Sequence, residues 1–307
     1  MKNSVRRRLL KILCFLLPFL PVPLCAQDSI GRTGKGFEQF YWIESAYPDV
    51  TFNKTYDTDV EDWRIEMIVP DGEESRTTVL YWAHGRMLPK ELLADQYSYW
   101  QLLYSYPKTL ADPADFSEEQ KEKIKHFGSD DNRRNSSGTP MYFFDALYDS
   151  GTRASLETKI KKTTFLGHKT SVHERIVEPL SRVEQKILAL AENSNEVKNF
   201  VGSMKSCDAY YWRIIAGTTR KSFHSLGIAV DILPVKTGGK QIFWGWAKDK
   251  YPTTWMLVPL KNRWMPPDEV IRIFEAEGFI WGGKWAVYDN MHFEYHPELI
   301  KFNFLTH

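Results

Sequence analysis

Residues Ser222 to Asp231 read S-F-H-S-L-G-I-A-V-D, with a histidine and an aspartate seven positions apart across a small-residue turn. Gly227 to Leu233 (G-I-A-V-D-I-L) has the composition of a short buried strand. A carboxylate inside such a run is costly unless a cation meets it. Asp231 and His224 are therefore candidates to share a metal ion, if a turn brings them together. A second stretch, Asp289 to Tyr295, reads D-N-M-H-F-E-Y. As a strand it would put His292 and Glu294 on one face and Met291, Phe293 and Tyr295 on the other. Two histidines and one carboxylate make the ligand set of a catalytic zinc with its fourth position open. Asp289 is then left over as a candidate base, and Glu294 as a residue that orients a ligand.

The wording S-x-H-x-x-G-x-A-x-D, then W-G-G-x-W (Trp281 to Trp285), then D-x-x-H-F-E resembles the zinc D-alanyl-D-alanine carboxypeptidases of the VanY type. D-Ala-D-Ala dipeptidases, phage L-alanyl-D-glutamate endopeptidases and hedgehog-like folds are relatives of that family. The resemblance covers about residue 155 onward. It implies one Zn2+ held by His224, Asp231 and His292, Asp289 as catalytic base, and a peptidoglycan stem peptide as substrate. It also implies an arginine upstream of His224, which a carboxylate or a developing oxyanion would need. The usual S-G-[FY]-R-S wording is absent here, so Arg213 in W-R-I-I-A-G-T is the first candidate and Arg220 the second. Ser222 and Trp285 are candidates for substrate contact. Two rival readings are an L-alanyl-D-glutamate-type endopeptidase and a non-catalytic zinc fold used for binding.

These residues need a scaffold. The expected fold class is α+β: a small antiparallel sheet with flanking helices around a zinc cleft, preceded by an N-terminal extension of mixed structure. Ile176, Leu180, Val183, Ile187 and Leu190 keep helical spacing, which predicts an amphipathic helix over 172–193 despite Pro179. His168 and His173 at its entrance read as surface or capping residues. H-E-R-I-V is not a zincin helix, because Val177 stands where the second histidine belongs. Pro266 and Pro267 open a helix that Gly278 stops, with Val270, Ile271, Ile273 and Phe274 as its buried stripe. The aromatics of 241–246 and 251–255 read as core. His84, His126, His296 and His307 have no partner pattern and stay outside the site.

Met1 to Ala26 has a basic start, a short apolar run broken by prolines, and a small-residue end, which is the pattern of a signal peptide. The domain reading is then 1–26 signal peptide, 27–154 N-terminal region of unknown role, and 155–307 zinc metallopeptidase domain. The expected location is exported, periplasmic or extracellular, with no membrane span in the mature chain. Removing five basic residues takes the formal net charge from +1 to −4. A mildly acidic chain without basic runs gives no reason to expect nucleic acid. Cys207 would be alone, so stability must come from the core and any metal. In the N-terminal region, 77–82 is β-like, 91–103 reads as a helix and 129–139 as a polar surface loop. Short matches to the serine peptidase motifs, S-Y-P-K at 105–108 and K-T-G at 236–238, fail because Pro107 sits badly in the helix turn that motif needs.

Overall fold

The computed structural model describes residues 36–304 except 216, 217 and 219, so the signal-peptide reading, Cys14, Cys25 and His307 lie outside the described residues. The chain is α+β. It begins with helix α1 (Phe40–Ala46), then a meander of β1 (Thr51–Asp57), β2 (Asp62–Asp71) and β3 (Glu74–Tyr81), paired antiparallel in the order β1-β2-β3. Ile65, Met67 and Val69 alternate along β2, and all are buried against α1 and its neighbours. Residues Lys90–Ser98, expected as part of a helix, form a 3-10 run kinked at Asp95. The chain then extends because Trp100 N donates to Gly138 O at 2.9 Å.

Helices α2 (Glu118–Phe127), α3 (Asp130–Asn135), α4 (Tyr142–Tyr148) and α5 (Arg153–Lys159) follow. Helix α3 corrects the expected loop over 129–139. Ser129 caps it by accepting from Asn132 N, Asp130 and Asp131 fill its first turn and Arg133 and Arg134 its last, so charge and dipole agree. Strands β4 (Ile160–Phe165) and β5 (His168–His173) form a hairpin whose two turn residues, Leu166 and Gly167, both have positive φ (48° and 82°). That is the twist a two-residue hairpin needs.

Helix α6 (Glu174–Ala191) buries Ile176, Leu180, Val183 and Ile187 as its spacing requires. It starts two residues later than expected, since Val172 and His173 pair in β5. His173 caps it, its Nδ1 accepting from Arg175 N at 3.1 Å. After α7 (Asn195–Gly202) and β6 (Met204–Asp208) come β7 (Ala229–Pro234), α8 (Trp244–Lys250), α9 (Asp268–Ala276), β8 (Phe279–Trp281), β9 (His292–Tyr295) and α10 (Pro297–Phe304). The sheet order is β6-β7-β9-β8, with antiparallel pairing between each neighbouring pair. Helix α9 runs from its Pro267 cap towards Gly278 and buries Val270, Ile271 and Phe274; Ile273 is half-buried and Glu275 is buried beside them.

One hydrophobic core joins Phe40, Ile43 and Ile65 of the N-terminal region to Val183, Ile232 and Phe293 of the C-terminal half. A smaller cluster, including Ile124, Trp244, Trp255 and Tyr288, supports the segment between β7 and β9. Among the described residues no helix is long and apolar enough to cross a membrane.

Candidate metal centre

Three short-range devices aim His224. Ser222 caps the 3-10 turn Phe223–Leu226 by accepting from His224 N, and Gly227 ends it at φ 70°. The third is Ala209 O, which lies 2.7 Å from His224 Nδ1 and fixes the tautomer, leaving Nε2 free. Gly227 O in turn accepts from His173 N at 2.8 Å, which ties the turn to the end of β5. Asp231 sits in mid-β7, directly opposite His292 on β9. Opposed residues on an antiparallel pair share a face, so one ladder sets both ligands.

The three side chains come together. His224 Nε2 lies 3.2 Å from Asp231 Oδ2 and 3.2 Å from His292 Nδ1, and His292 Nδ1 lies 2.8 Å from Asp231 Oδ1. One ligand atom from each falls within 4.8 Å of the others. Donors about 2.0–2.1 Å from a tetrahedral zinc are about 3.3 Å apart, so two nitrogens and a carboxylate at these separations fit that ion.

The electrostatics favour a cation. Burial alone would raise Asp231, but its hydrogen bonds to His224 and His292 hold it far below the usual carboxylate range. Burial likewise opposes a charged His292, yet Asp231 and Glu294 raise its pKa well above the ordinary value. The pocket thus concentrates negative charge around one small volume.

As alternation requires, His292 and Glu294 share a face, with His292 Nε2 2.8 Å from Glu294 Oε1, while Phe293 is wholly buried on the other. Asp289 precedes the strand in a turn rather than lying in it. Its N–H donates to Gly282 O at 3.0 Å. A Cβ on Gly282 would stand 2.7 Å from Asp289 O, so the first glycine of W-G-G-K-W allows that approach. Asp289 Oδ1 is shut off from solvent and has no hydrogen-bond partner among the described residues. Burial pushes this carboxyl up to about 7; His292 pulls it down, and the charges of Asp231 and Glu294 add to the rise. A carboxyl poised near neutrality, with a backbone hydrogen bond from Met291 and one oxygen left over, is suited to proton transfer. Trp285 lies beside the site, its ring 5.5 Å from that of His292 and tilted 54° to it.

The arginines separate. Arg220 spends its guanidinium on Ser137 O and Arg133 O at 2.8 and 2.9 Å and lies over Trp100, so it ties down the chain around α3. Arg213 is exposed, with no partner for its guanidinium among the described residues. Its backbone is pinned to the metal turn, Arg213 N donating to Ser225 Oγ at 2.9 Å. Sequence reasoning passed over Ser225, which is fully buried. The hydroxyl of Ser222 is engaged as a cap.

His296 stays outside the three-residue cluster, yet it has partners that the sequence did not suggest. It is buried, its Nδ1 2.8 Å from Glu298 Oε1 and its Nε2 3.3 Å from Glu294 Oε2. The period-two run His292, Glu294, His296 was the available signal. A groove of about 850 Å³, lined by Lys162, Thr164, Lys169, Asp208 and Tyr210 among others, contains none of His224, Asp231, Asp289 and His292 and meets the site only through Ala209, whose O holds His224 Nδ1.

Two imidazoles and a carboxylate around one point could hold a metal ion, with a second carboxyl held near neutrality. Residues 216–295 match a family model described as D-alanyl-D-alanine carboxypeptidase, within the M15 peptidases. That span contains His224, Asp231, Asp289 and His292, and the match supports a peptidoglycan-related metallopeptidase of a family that is zinc-dependent in general. Residues 39–105 match a family described as a domain of unknown function, DUF8518. No curated protein and no solved structure matches the chain.

Proposed function

We propose that this chain is an exported zinc D-alanyl-D-alanine carboxypeptidase that trims peptidoglycan stem peptides. The observation that carries the reading is the convergence of His224, Asp231 and His292 with a buried Asp289 whose Oδ1 has no hydrogen-bond partner among the described residues. Bound zinc would supply Lewis acidity to water and to the scissile carbonyl. Asp289 takes the proton of the attacking water and returns it to the leaving amine. Arg213, exposed and held next to the metal turn, meets the substrate carboxylate or the developing oxyanion. Glu294 accepts from His292 Nε2–H and keeps its Nδ1 turned inward.

The test is metal analysis of the purified protein followed by digestion of muropeptides read by mass spectrometry. Zinc-dependent loss of a terminal D-alanine supports the reading. Cleavage between L-alanine and D-glutamate would reassign the bond. Bound zinc without any hydrolysis would make the fold a binding module.

A further inference from the structure

Two tyrosines of the N-terminal region reach into the support of the candidate metal centre. The first contact runs through a buried polar chain. His292 Nε2 meets Glu294 Oε1 at 2.8 Å, and Glu294 Oε2 faces His296 Nε2 at 3.3 Å as an ion pair, outside hydrogen-bond geometry. His296 Nδ1 meets Glu298 Oε1 at 2.8 Å, and Glu298 Oε2 accepts from Tyr47 Oη–H at 2.6 Å. Every member is less than a tenth exposed. Tyr47 directly follows α1, which packs on α10, where Glu298 stands in the first turn. A buried row of alternating acids and imidazoles is costly wherever a group goes unsatisfied, and the phenol of Tyr47 satisfies its far end at Glu298.

The second contact is Tyr106. Its hydroxyl accepts from Trp281 N at 2.9 Å and donates to Glu275 Oε1 at 2.5 Å, while Lys284 binds the same carboxylate at 2.6 Å. Trp281 Nε1 donates to Asn290 O at 3.0 Å. Its neighbour Gly282 accepts from Asp289 N. The turn that presents Asp289 is therefore gripped at Trp281 from both sides.

We propose that Tyr47 and Tyr106 are positioning residues of the metal centre, Tyr47 holding ligand His292 through Glu298, His296 and Glu294, and Tyr106 holding Asp289 through Trp281 and Gly282. The proposal rests on the reading of His224, Asp231 and His292 as a metal site. It gives the N-terminal region a role: Tyr47, inside the matched span 39–105, and Tyr106, just past its end, help to aim the ligands and Asp289. Were the tyrosines fold supports alone, their loss would lower the melting temperature and leave metal affinity and turnover as they are.

The experiment uses full-length protein. Tyr47→Phe removes one hydroxyl, and its zinc affinity, measured by chelator competition, is expected to fall about tenfold, the lower end for residues that orient a ligand. Glu298→Gln, close in shape, is expected to act in the same direction, and cobalt-substituted protein should show an altered visible spectrum in both. Tyr106→Phe should keep wild-type zinc affinity and the cobalt spectrum while kcat falls at unchanged KM. Zinc affinity within twofold of wild type in both Tyr47→Phe and Glu298→Gln, or unchanged kcat in Tyr106→Phe, would overturn the corresponding half. Chelator competition needs no turnover, so failure of the peptidase reading is told apart from failure of the Tyr47 half. A wild type that binds no zinc ends both.

Discussion

Asp231 Oδ1 lies 2.8 Å from His292 Nδ1 although 61 positions separate them, because β7 and β9 hold them directly opposite each other. Asp231→Asn and His292→Ala should each weaken zinc binding beyond the ~10–100-fold of outer-shell changes. Chelator competition on the two variants measures this; affinity near wild type would remove the proposed ligand set.

Asp289→Asn should retain zinc and lose about 10²–10⁴-fold in kcat. A base works only when deprotonated, so wild-type activity should fall as pH drops through the pKa of Asp289. That carboxyl stands near 7 in the metal-free geometry, and a cation on Asp231 and His292 would move the acid limb lower. A kcat–pH profile of the zinc-loaded enzyme checks the direction.

Arg213→Ala should lower kcat/KM with little change in melting temperature. Arg220→Ala should do the reverse, since two carbonyls and the Trp100 face lose their cation. Steady-state kinetics paired with thermal melts separates the two.

Gly227→Ala combines a positive φ of 70° with a Cβ 2.8 Å from His173 N and 2.7 Å from Ile160 Cδ1. The expected destabilisation is about 2–5 kcal/mol, from left-handed strain plus overpacking against backbone. Urea denaturation measures it, and zinc affinity should fall as well because the His224 turn is displaced.

His173 sets an acid limit on stability. Burial drives its pKa down to about 3 despite the opposing hydrogen bond to Tyr148 O. In the folded protein its neutral Nδ1 accepts from Arg175 N, so protonation would break the cap. The unfolded histidine takes up a proton near 6.5, hence the contribution is whole above that pH and declines between about 6.5 and about 3. The expected slope approaches about 1.4 kcal/mol per pH unit, and His173→Gln should flatten it in denaturant titrations.

The metal site was legible because its information is local. G-I-A-V-D-I-L and H-F-E-Y carry strand patterns that place Asp231, His292 and Glu294 on defined faces, and Ser222 and Gly227 bracket one turn. Helix α3 was equally local, and its Ser129 cap and charge gradient were passed over in favour of polarity. The 3-10 run at 90–98 owes its end to a carbonyl forty residues away. Tyr47 and Tyr106 could not be found from pattern at all. Their partners lie 251 and 169 positions off, and one tyrosine among many carries no mark of what it will meet.

The excursion between β7 and β9 packs Trp244, Trp255 and Tyr288 with Ile124 of α2 into a cluster apart from the main core, yet rejoins the ligand strands at fixed rungs. The separation of Asp231 and His292 is therefore indifferent to how long that detour is. Length variation there would reshape the rim and the choice of peptide while the grip on the ion stayed constant, so selectivity and metal affinity can drift independently in this architecture.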